Sequence, residues 1–115
     1  MQFMLFAWVD ENGFQAMPPA EAQAAAGAYT AYGEALRKEH VLVSSNRLRP
    51  SGDTTQVRLE NGKTRVLNGP YAETRERLGG YFLIDVPDLD AAMSWAARCP
   101  AASHGTVEIR PIWTM

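Results

Sequence analysis

Residues 2–9 read QFMLFAWV, an apolar run that determines how the rest of the chain must be arranged. Alternate side chains of a strand point to opposite faces, and here both sets are apolar. One set comprises Phe3, Leu5, Ala7 and Val9, and the other comprises Met4, Phe6 and Trp8. A strand that is apolar on both faces is buried on both. We therefore expect residues 2–9 to form a strand that is covered on each side.

A long helix is predicted to follow this strand, over residues 18–38. The two prolines at its start suit the first turn of a helix. Its inward stripe, at helical spacing, comprises Ala25, Tyr29, Tyr32 and Leu36. Gly27 and Gly33 each weaken helix propensity by about 1 kcal/mol relative to alanine, which suggests close backbone packing. Residues 41–48 then read as a second strand.

The clearest local signal is a β-hairpin formed by residues 55–60 and 63–67. They flank Asn61-Gly62, the preferred pair for a two-residue type I′ turn, which sets the register of the two strands. The predicted opposite pairs are Glu60 with Lys63, Leu59 with Thr64, Arg58 with Arg65 and Val57 with Val66. The three apolar residues of these pairs share one face, and the charged residues share the other.

The second half of the chain predicts a further strand, a helix and a last strand. In chain order there are a polar segment at 68–80, a strand at 81–86, a helix capped by Asp88 and ended by Cys99-Pro100, a loop at 101–105 and a strand at 106–112. The whole order is β-α-β, hairpin, β-α-β, which is the split βαβ pattern. We therefore predict a single α+β domain over residues 1–115, ferredoxin-like, with an antiparallel sheet, two helices on one face and an inserted hairpin.

The face of the sheet opposite the helices is predicted to be apolar and open. Large apolar residues from 2–9 and 81–86 point to it. An apolar patch of this size on a soluble protein usually marks a partner, and a second copy related by a two-fold axis is the simplest one. We expect a homodimer that forms through the open sheet face.

Composition excludes several classes of function. The net charge is −2, and basic residues occur in mixed runs such as Arg75-Glu76-Arg77, so no nucleic-acid partner is expected. The apolar run at 2–9 is too short to span a membrane and lacks the features of a signal peptide, so a cytoplasmic protein without a membrane partner is expected. Cys99 is the single cysteine, and His40 and His104 lack ligand spacing, so no disulfide, metal site or cofactor is predicted.

Residues 68–76, NGPYAETRE, carry a recognisable motif. It resembles the Asp-Gly-Pro-Phe-x-Glu-Thr-Lys-Glu signature of the DGPF branch of the YCII-related family, and the similarity extends over 57–67 and 78–111. The resemblance implies a dimeric α+β barrel fold and little about chemistry. Some relatives are neighbours of extracytoplasmic-function sigma factors, which implies a regulatory partner. Asn68 departs from the signature aspartate, and the first helix lacks the histidine of the family's histidine–aspartate pair.

The motif segment supplies most of the candidate ligand-binding residues. They are Asn68, Gly69, Pro70 and Tyr71, followed by Glu73 and Arg75. The first four either present Tyr71 and backbone amides to a ligand or form a tight turn in which Tyr71 packs. Arg75 suits bidentate binding of a carboxylate or phosphate, and an interface network of salt bridges is the alternative.

Glu108 and Arg110 are two apart on the last strand and therefore share a face. Val107 and Ile109 fill the helix side of a strand that we expect to be internal or nearly so, which turns the two charges toward a second subunit. Because an unpaired buried charge is costly, they either pair with each other or with the 73–75 segment, or they form the polar floor of a small-molecule cleft at the dimer seam.

The remaining chemical side chains have mainly structural interpretations. Tyr29 and Tyr32 are expected in the core or in a cleft wall, and Cys99 is expected to be inert. His40 suits the negative end of a helix dipole. His104 lies in a loop and serves as a general base only if that loop folds over a cleft.

Three functional hypotheses follow from these features. The first is a small-molecule enzyme that carries out proton transfer or lyase chemistry on a small anionic compound, in a cleft between sheet and helices or at the dimer seam. The second is a non-catalytic ligand sensor or regulatory module that acts with an extracytoplasmic-function sigma factor. The third is a scaffold whose dimerisation is itself the function.

Overall fold

The computed structural model describes residues 1–114 and places six β-strands and three α-helices in them. In chain order these are β1 Gln2–Val9, α1 Glu11–Gln15, α2 Pro19–Lys38, β2 Leu42–Arg47, β3 Thr55–Glu60, β4 Lys63–Asn68, β5 Arg77–Asp85, α3 Leu89–Arg98 and β6 Thr106–Pro111. Two short 3₁₀ helices, Ser51–Asp53 and Pro100–Ser103, lie between them.

The main sheet has the strand order β2-β5-β1-β6, and every neighbouring pair is antiparallel. With α2 and α3 as the two long helices, this is the predicted ferredoxin-like α+β arrangement. The apolar first strand is central and pairs with β5 along one edge and with β6 along the other. β6 lies at the edge of the sheet, so the expectation that the last strand is internal was wrong.

The core lies between the sheet and the two long helices. Phe3, Leu5 and Ile84 project from the sheet, and Leu36 projects from α2; all four are fully buried. Burial of each such side chain contributes roughly 1.5–3 kcal/mol. The predicted burial of β1 is confirmed on one face only: the odd-numbered positions Phe3, Leu5 and Ala7 are buried in this core, whereas Met4, Phe6 and Trp8 on the other face are partly buried.

Tyr32 joins α2 to α3 within this core. Its ring packs edge-to-face on Phe82, with centroids 5.0 Å apart, and on Trp95, with centroids 6.4 Å apart. Its hydroxyl donates a 2.7 Å hydrogen bond to the carbonyl oxygen of Trp95. Burial raises the pKa of Tyr32 well above its ordinary value.

The β3–β4 hairpin has the predicted register but forms a two-stranded sheet of its own. Glu60 faces Lys63 and Val57 faces Val66, as expected from the two-residue turn. Asn61 has φ 52° and the glycine after it has φ 77°, which are the positive values that a type I′ turn requires. The hairpin is therefore an arm attached to the domain at its base.

β5 begins at Arg77, four residues before the predicted start of the strand. This extension was not predicted from the sequence, because Gly79 and Gly80 lie in it and glycine is depleted in strands. Their place in the sheet shows why they are glycines: a Cβ on Gly80 would lie 2.8 Å from the carbonyl oxygen of Asn46 on β2. The polar segment is thus shorter than expected.

Three smaller expectations were also wrong. Residues 11–15 form α1, which was not predicted; Asp10 caps it by accepting hydrogen bonds from the backbone N–H groups of Asn12 and Gly13. The expected loop at 101–105 begins as a 3₁₀ helix. Gly27 lies on the exposed side of α2 with open space around it, so it does not mark close packing.

Candidate functional site

A cavity of about 800 Å³ lies on the helix side of the sheet, between α2 and the strand ends that α1 covers. Ligand pockets typically measure about 300–1,000 Å³, so this cavity has room for a small organic molecule. A cleft between sheet and helices was one of the two expected locations, whereas most of the residues that line this cavity were not predicted to do so.

The walls of the cavity are mostly apolar. They are formed by Val9 from the end of β1, Phe14 from α1, Met17 from the α1–α2 connection, Ala25 from α2 and Phe82 from β5. Apolar walls with a few placed polar groups are the usual composition of small-molecule sites. The identity of the polar groups therefore indicates what kind of compound fits.

Arg47 is the first of these polar groups. It is the last residue of β2, and its guanidinium lies 5.2 Å from the centroid of the Phe14 ring. This cation–π contact holds the charge against the cavity wall. Arg37, on α2, is a second cation in the lining.

Tyr29 is the second kind of polar group, a hydroxyl on the α2 wall. The pKa of Tyr29 is raised to about 12, mainly by burial and to a smaller extent by the nearby Cys99 thiol, while Arg47 opposes the shift. The phenol therefore keeps its proton at neutral pH. A protonated phenol is able to donate a hydrogen bond and is not a base.

A smaller polar cavity of about 270 Å³ adjoins the first and shares Asp10 and Glu11 with it. Glu11 accepts two hydrogen bonds of 2.7 Å from Ser51, one from its backbone N–H and one from its hydroxyl. Asp10 lies 3.5 Å from the Nε of Arg75. These contacts tie α1, which covers the main cavity, to the segments on either side of it.

His104 lines the main cavity. From the sequence, it was expected to act as a general base only if its loop lies over a cleft, and the loop does lie beside one. The Nδ1 of His104 lies 3.2 Å from the hydroxyl oxygen of Ser103. Asp10, Glu11 and His104 are the proton acceptors of the lining, and the first two are engaged in the contacts described above. His104 is the one that sequence reasoning identified.

The motif segment lies away from the main cavity, at the base of the hairpin arm. Gly69, with φ 101°, donates its N–H to the carbonyl oxygen of Thr54 over 2.8 Å, so a tight turn is present. Tyr71 is 81% exposed and does not pack within the chain. Asn68, Pro70 and Glu73 do not line either cavity, and Arg75 lines only the small one.

Glu108 and Arg110 point to the open face of the sheet, as predicted from their spacing. One interpretation of the sequence was that these two residues pair with each other or with the 73–75 segment, and the structure gives Glu108 and Arg75 different partners. Glu108 accepts a hydrogen bond from the indole of Trp8, and the Arg75 side chain pairs with Asp10. Because these two strand residues lie on the side of the sheet opposite the main cavity, the structure does not bring the sequence-predicted site residues together with it.

Sequence reasoning missed Arg47 and Phe14 as members of a site. The start of α1 beside this site could have been predicted, because Asp10 suits a helix N-cap and Glu11 suits the first turn. Nothing in the local pattern places Arg47 against the ring of Phe14, since the two lie 33 residues apart in the chain. Tyr29 was identified as a possible cleft wall, and the structure places it in one.

The strand order and the sheet–helix cavity define a small ferredoxin-like α+β domain with room for a ligand. The family model described as YCII-related domain matches residues 1–115, so the chain belongs to the YCII-related family, as its motif suggested. In residues 1–114 no helix is long and apolar enough to cross a membrane.

Two known proteins are similar to this chain, one in sequence and one in fold. An uncharacterised protein of Rhizobium meliloti (strain 1021) is 41% identical over 68 residues; the match covers 57% of this chain and 55% of the relative, so it spans about half the length of that protein. The fold is similar to that of 5-chloro-2-hydroxyhydroquinone dehydrochlorinase (TftG) from Burkholderia phenoliruptrix AC1100, solved in complex with 2,5-dihydroxybenzoquinone. The TM-score is 0.58 at 13% identity, over 99% of this chain and 94% of the other, which establishes a similar fold and nothing beyond it.

Proposed function

We propose that this protein binds a small anionic compound in the cavity between the sheet and α2, and that it is an enzyme of the proton-transfer or lyase type. The observation that carries the proposal is the placement of Arg47 and Tyr29 in the lining of a cavity whose walls are mostly apolar. The guanidinium supplies positive charge and several donors, and the protonated phenol supplies another donor beside it. An anionic ring compound matches both the apolar walls and these donors.

His104 is our candidate for the proton-transfer step. Histidine is the side chain most often used as a general acid or base, and His104 lies at the edge of the same cavity. The dehydrochlorinase that shares this fold supports a lyase-type reaction on a small hydroxylated ring, since its complex contains 2,5-dihydroxybenzoquinone. That compound is a suitable first probe.

The proposal is tested by a thermal-shift screen of small acids and hydroxylated quinones, beginning with 2,5-dihydroxybenzoquinone. A ligand at 100 times its dissociation constant stabilises the folded state by about 2.7 kcal/mol, which raises the melting temperature of a domain of this size by several degrees. We expect Arg47→Met and Tyr29→Phe to weaken any binding found by about tenfold or more.

Arg110→Met is the matched control, because it removes an arginine from the opposite side of the sheet. If Arg110→Met abolished binding while Arg47→Met left it intact, the site would lie at the dimer seam and the sheet–helix cavity would not be the binding site. If a ligand bound without any turnover, the alternative of a sensor or regulatory module would gain support, and a sigma-factor partner would then be sought by co-purification.

We also propose that the chain forms a homodimer through the open face of its sheet. Met4, Phe6 and Trp8 of β1 and Leu83 of β5 lie on this face and are only partly buried. Apolar residues gathered on one exposed face usually meet a partner. Sedimentation equilibrium of the wild type and of Phe6→Asp tests the proposal, which fails if the two behave alike.

A further inference from the structure

The hairpin arm, residues 55–68, has little support from the domain that carries it. Its two strands pair only with each other and not with the four-stranded sheet. At its base, the N–H of Gly69 donates to the carbonyl oxygen of Thr54, and Gln56 donates to the carbonyl oxygen of Gly69. A two-stranded hairpin without further packing is marginally stable in water.

One face of the arm is apolar and uncovered. Val57 is 63% exposed, Leu59 is 76% exposed and Val66 is 57% exposed, and cross-strand pairing places all three on the same side. The opposite side carries charges, among them Arg65, whose guanidinium lies 3.2 Å from the carboxylate of Glu60. The arm therefore has one side suited to solvent and one side suited to burial.

The accessible surface of the chain is larger than that of a compact monomer, which indicates that another chain covers the apolar face of the arm. The accessible surface is 8159 Å², whereas a compact monomer of this length exposes about 6200 Å². The radius of gyration is 16.0 Å, against about 13 Å for a compact domain of this length. The excess of about 2000 Å² is larger than the ~800 Å² that each partner buries in an interface of standard size.

We propose that the arm packs its Val57, Leu59 and Val66 face against a second copy of this chain. A second copy is the occupant that the molecule itself offers, because every copy carries the same uncovered arm face and the excess surface exceeds what each partner buries in a standard dimer; the inference thus rests on the homodimer proposed above. A two-fold axis lets each arm cover the other copy, so one contact is made twice. This interface extends beyond the sheet face itself and does not depend on ligand binding, since no arm residue lines the main cavity.

The test measures the dimer dissociation constant by sedimentation equilibrium for the wild type and for Leu59→Asp. We expect a wild-type dimer and an increase of about tenfold or more in the dissociation constant of the variant, because a buried leucine is replaced by a charge. Leu89→Asp is the matched control: Leu89 is half exposed but lies on α3, away from the arm, and its replacement should leave the dissociation constant unchanged. A monomeric wild type, or equal effects of the two variants, would overturn the proposal.

Amide hydrogen exchange gives a second readout that a misfolded variant cannot imitate. In the wild type, protection of the amides of residues 55–68 should rise with protein concentration across the dissociation constant, while protection of β1 should not change to the same extent. Arm protection that is independent of concentration would contradict the proposal. Retained thermal shifts with cavity ligands in Leu59→Asp would show that the domain is still folded.

Discussion

The indole Nε1 of Trp8 donates a 3.3 Å hydrogen bond to Oε1 of Glu108, across the open face of the sheet from β1 to β6. The two residues lie on neighbouring strands but not directly opposite each other, because Trp8 faces Thr106 in the register. A second link on this strand joins the hydroxyl of Thr106 to the carboxylate of Glu76 over 2.9 Å. Two polar side chains of the edge strand, Thr106 and Glu108, are thus hydrogen-bonded to neighbours within the chain.

Removal of the Glu108 carboxylate should have a small effect on stability. We expect Glu108→Ala to lower the free energy of unfolding by about 0.5–1.5 kcal/mol, the usual contribution of one hydrogen bond. Glu108→Gln should lower it less, because its amide oxygen still accepts from the indole. Urea denaturation at pH 7 measures both values, and a loss of about 3 kcal/mol for either variant would show that the residue has a further buried role.

Tyr32→Phe tests the link between α2 and α3. The ring contacts with Phe82 and Trp95 remain in this variant, but the 2.7 Å hydrogen bond to the Trp95 carbonyl is lost. An unsatisfied part-buried acceptor costs about 1–3 kcal/mol, and we expect the free energy of unfolding to fall by that amount. Thermal denaturation of the two proteins checks this, and an unchanged melting temperature would show that water replaces the hydroxyl.

Alkaline pH should destabilise the protein through its buried tyrosines. The pKa of Tyr29 is about 12 in the folded state and about 10 in the unfolded state. Above pH 10 the unfolded state therefore binds fewer protons than the folded state, so the free energy of unfolding falls as pH rises toward 12. Urea denaturation at pH 8 and at about pH 10.5 measures the fall; the slope should be shallower in Tyr29→Phe, and an equal slope would contradict the assignment.

Two glycine-to-alanine substitutions should have opposite effects. In Gly80→Ala the new Cβ lies 2.8 Å from the Asn46 carbonyl oxygen, and we expect a loss of about 1–3 kcal/mol as β2 and β5 are forced apart. In Gly27→Ala nothing lies within 4 Å of the new Cβ, and the helix should gain about 0.5–1 kcal/mol. Chemical denaturation measures the free energy of unfolding of both variants. Each variant serves as the control for the other, because the same substitution is made in a strand and in a helix. Equal signs would contradict the packing described here.

The parts of the fold that sequence reasoning predicted well are those that depend on neighbours in the chain. The register of the hairpin follows from Asn61-Gly62 and was confirmed residue by residue. The first turn of α2 at Pro19 and the Asp88 cap of α3 were confirmed for the same reason. The early start of β5 was missed because Gly79-Gly80 reads as a loop unless the close approach of β2 is known.

The site depends on tertiary packing in a way that no local pattern reveals. The motif placed ligand contacts at residues 68–75, and strand spacing placed them at Glu108 and Arg110. The structure places the first group at the arm base and, for Arg75, at the small polar cavity, and it places Glu108 and Arg110 on the open face. Arg47 and Tyr29 meet in the cavity only because β2 ends where α2 passes over the sheet. Their meeting depends on the crossing of two elements and not on spacing in the sequence.

The sequence by itself therefore determined the two long helices, the split βαβ order, the buried face of β1 and the hairpin register, since periodicity and turn chemistry act over a few residues. The tertiary structure decided which strand lies at the edge, where the cavity forms, and that the arm stands apart from the sheet. Those outcomes depend on contacts between residues far apart in the chain, where long-range packing selects among arrangements that local preferences leave equally open.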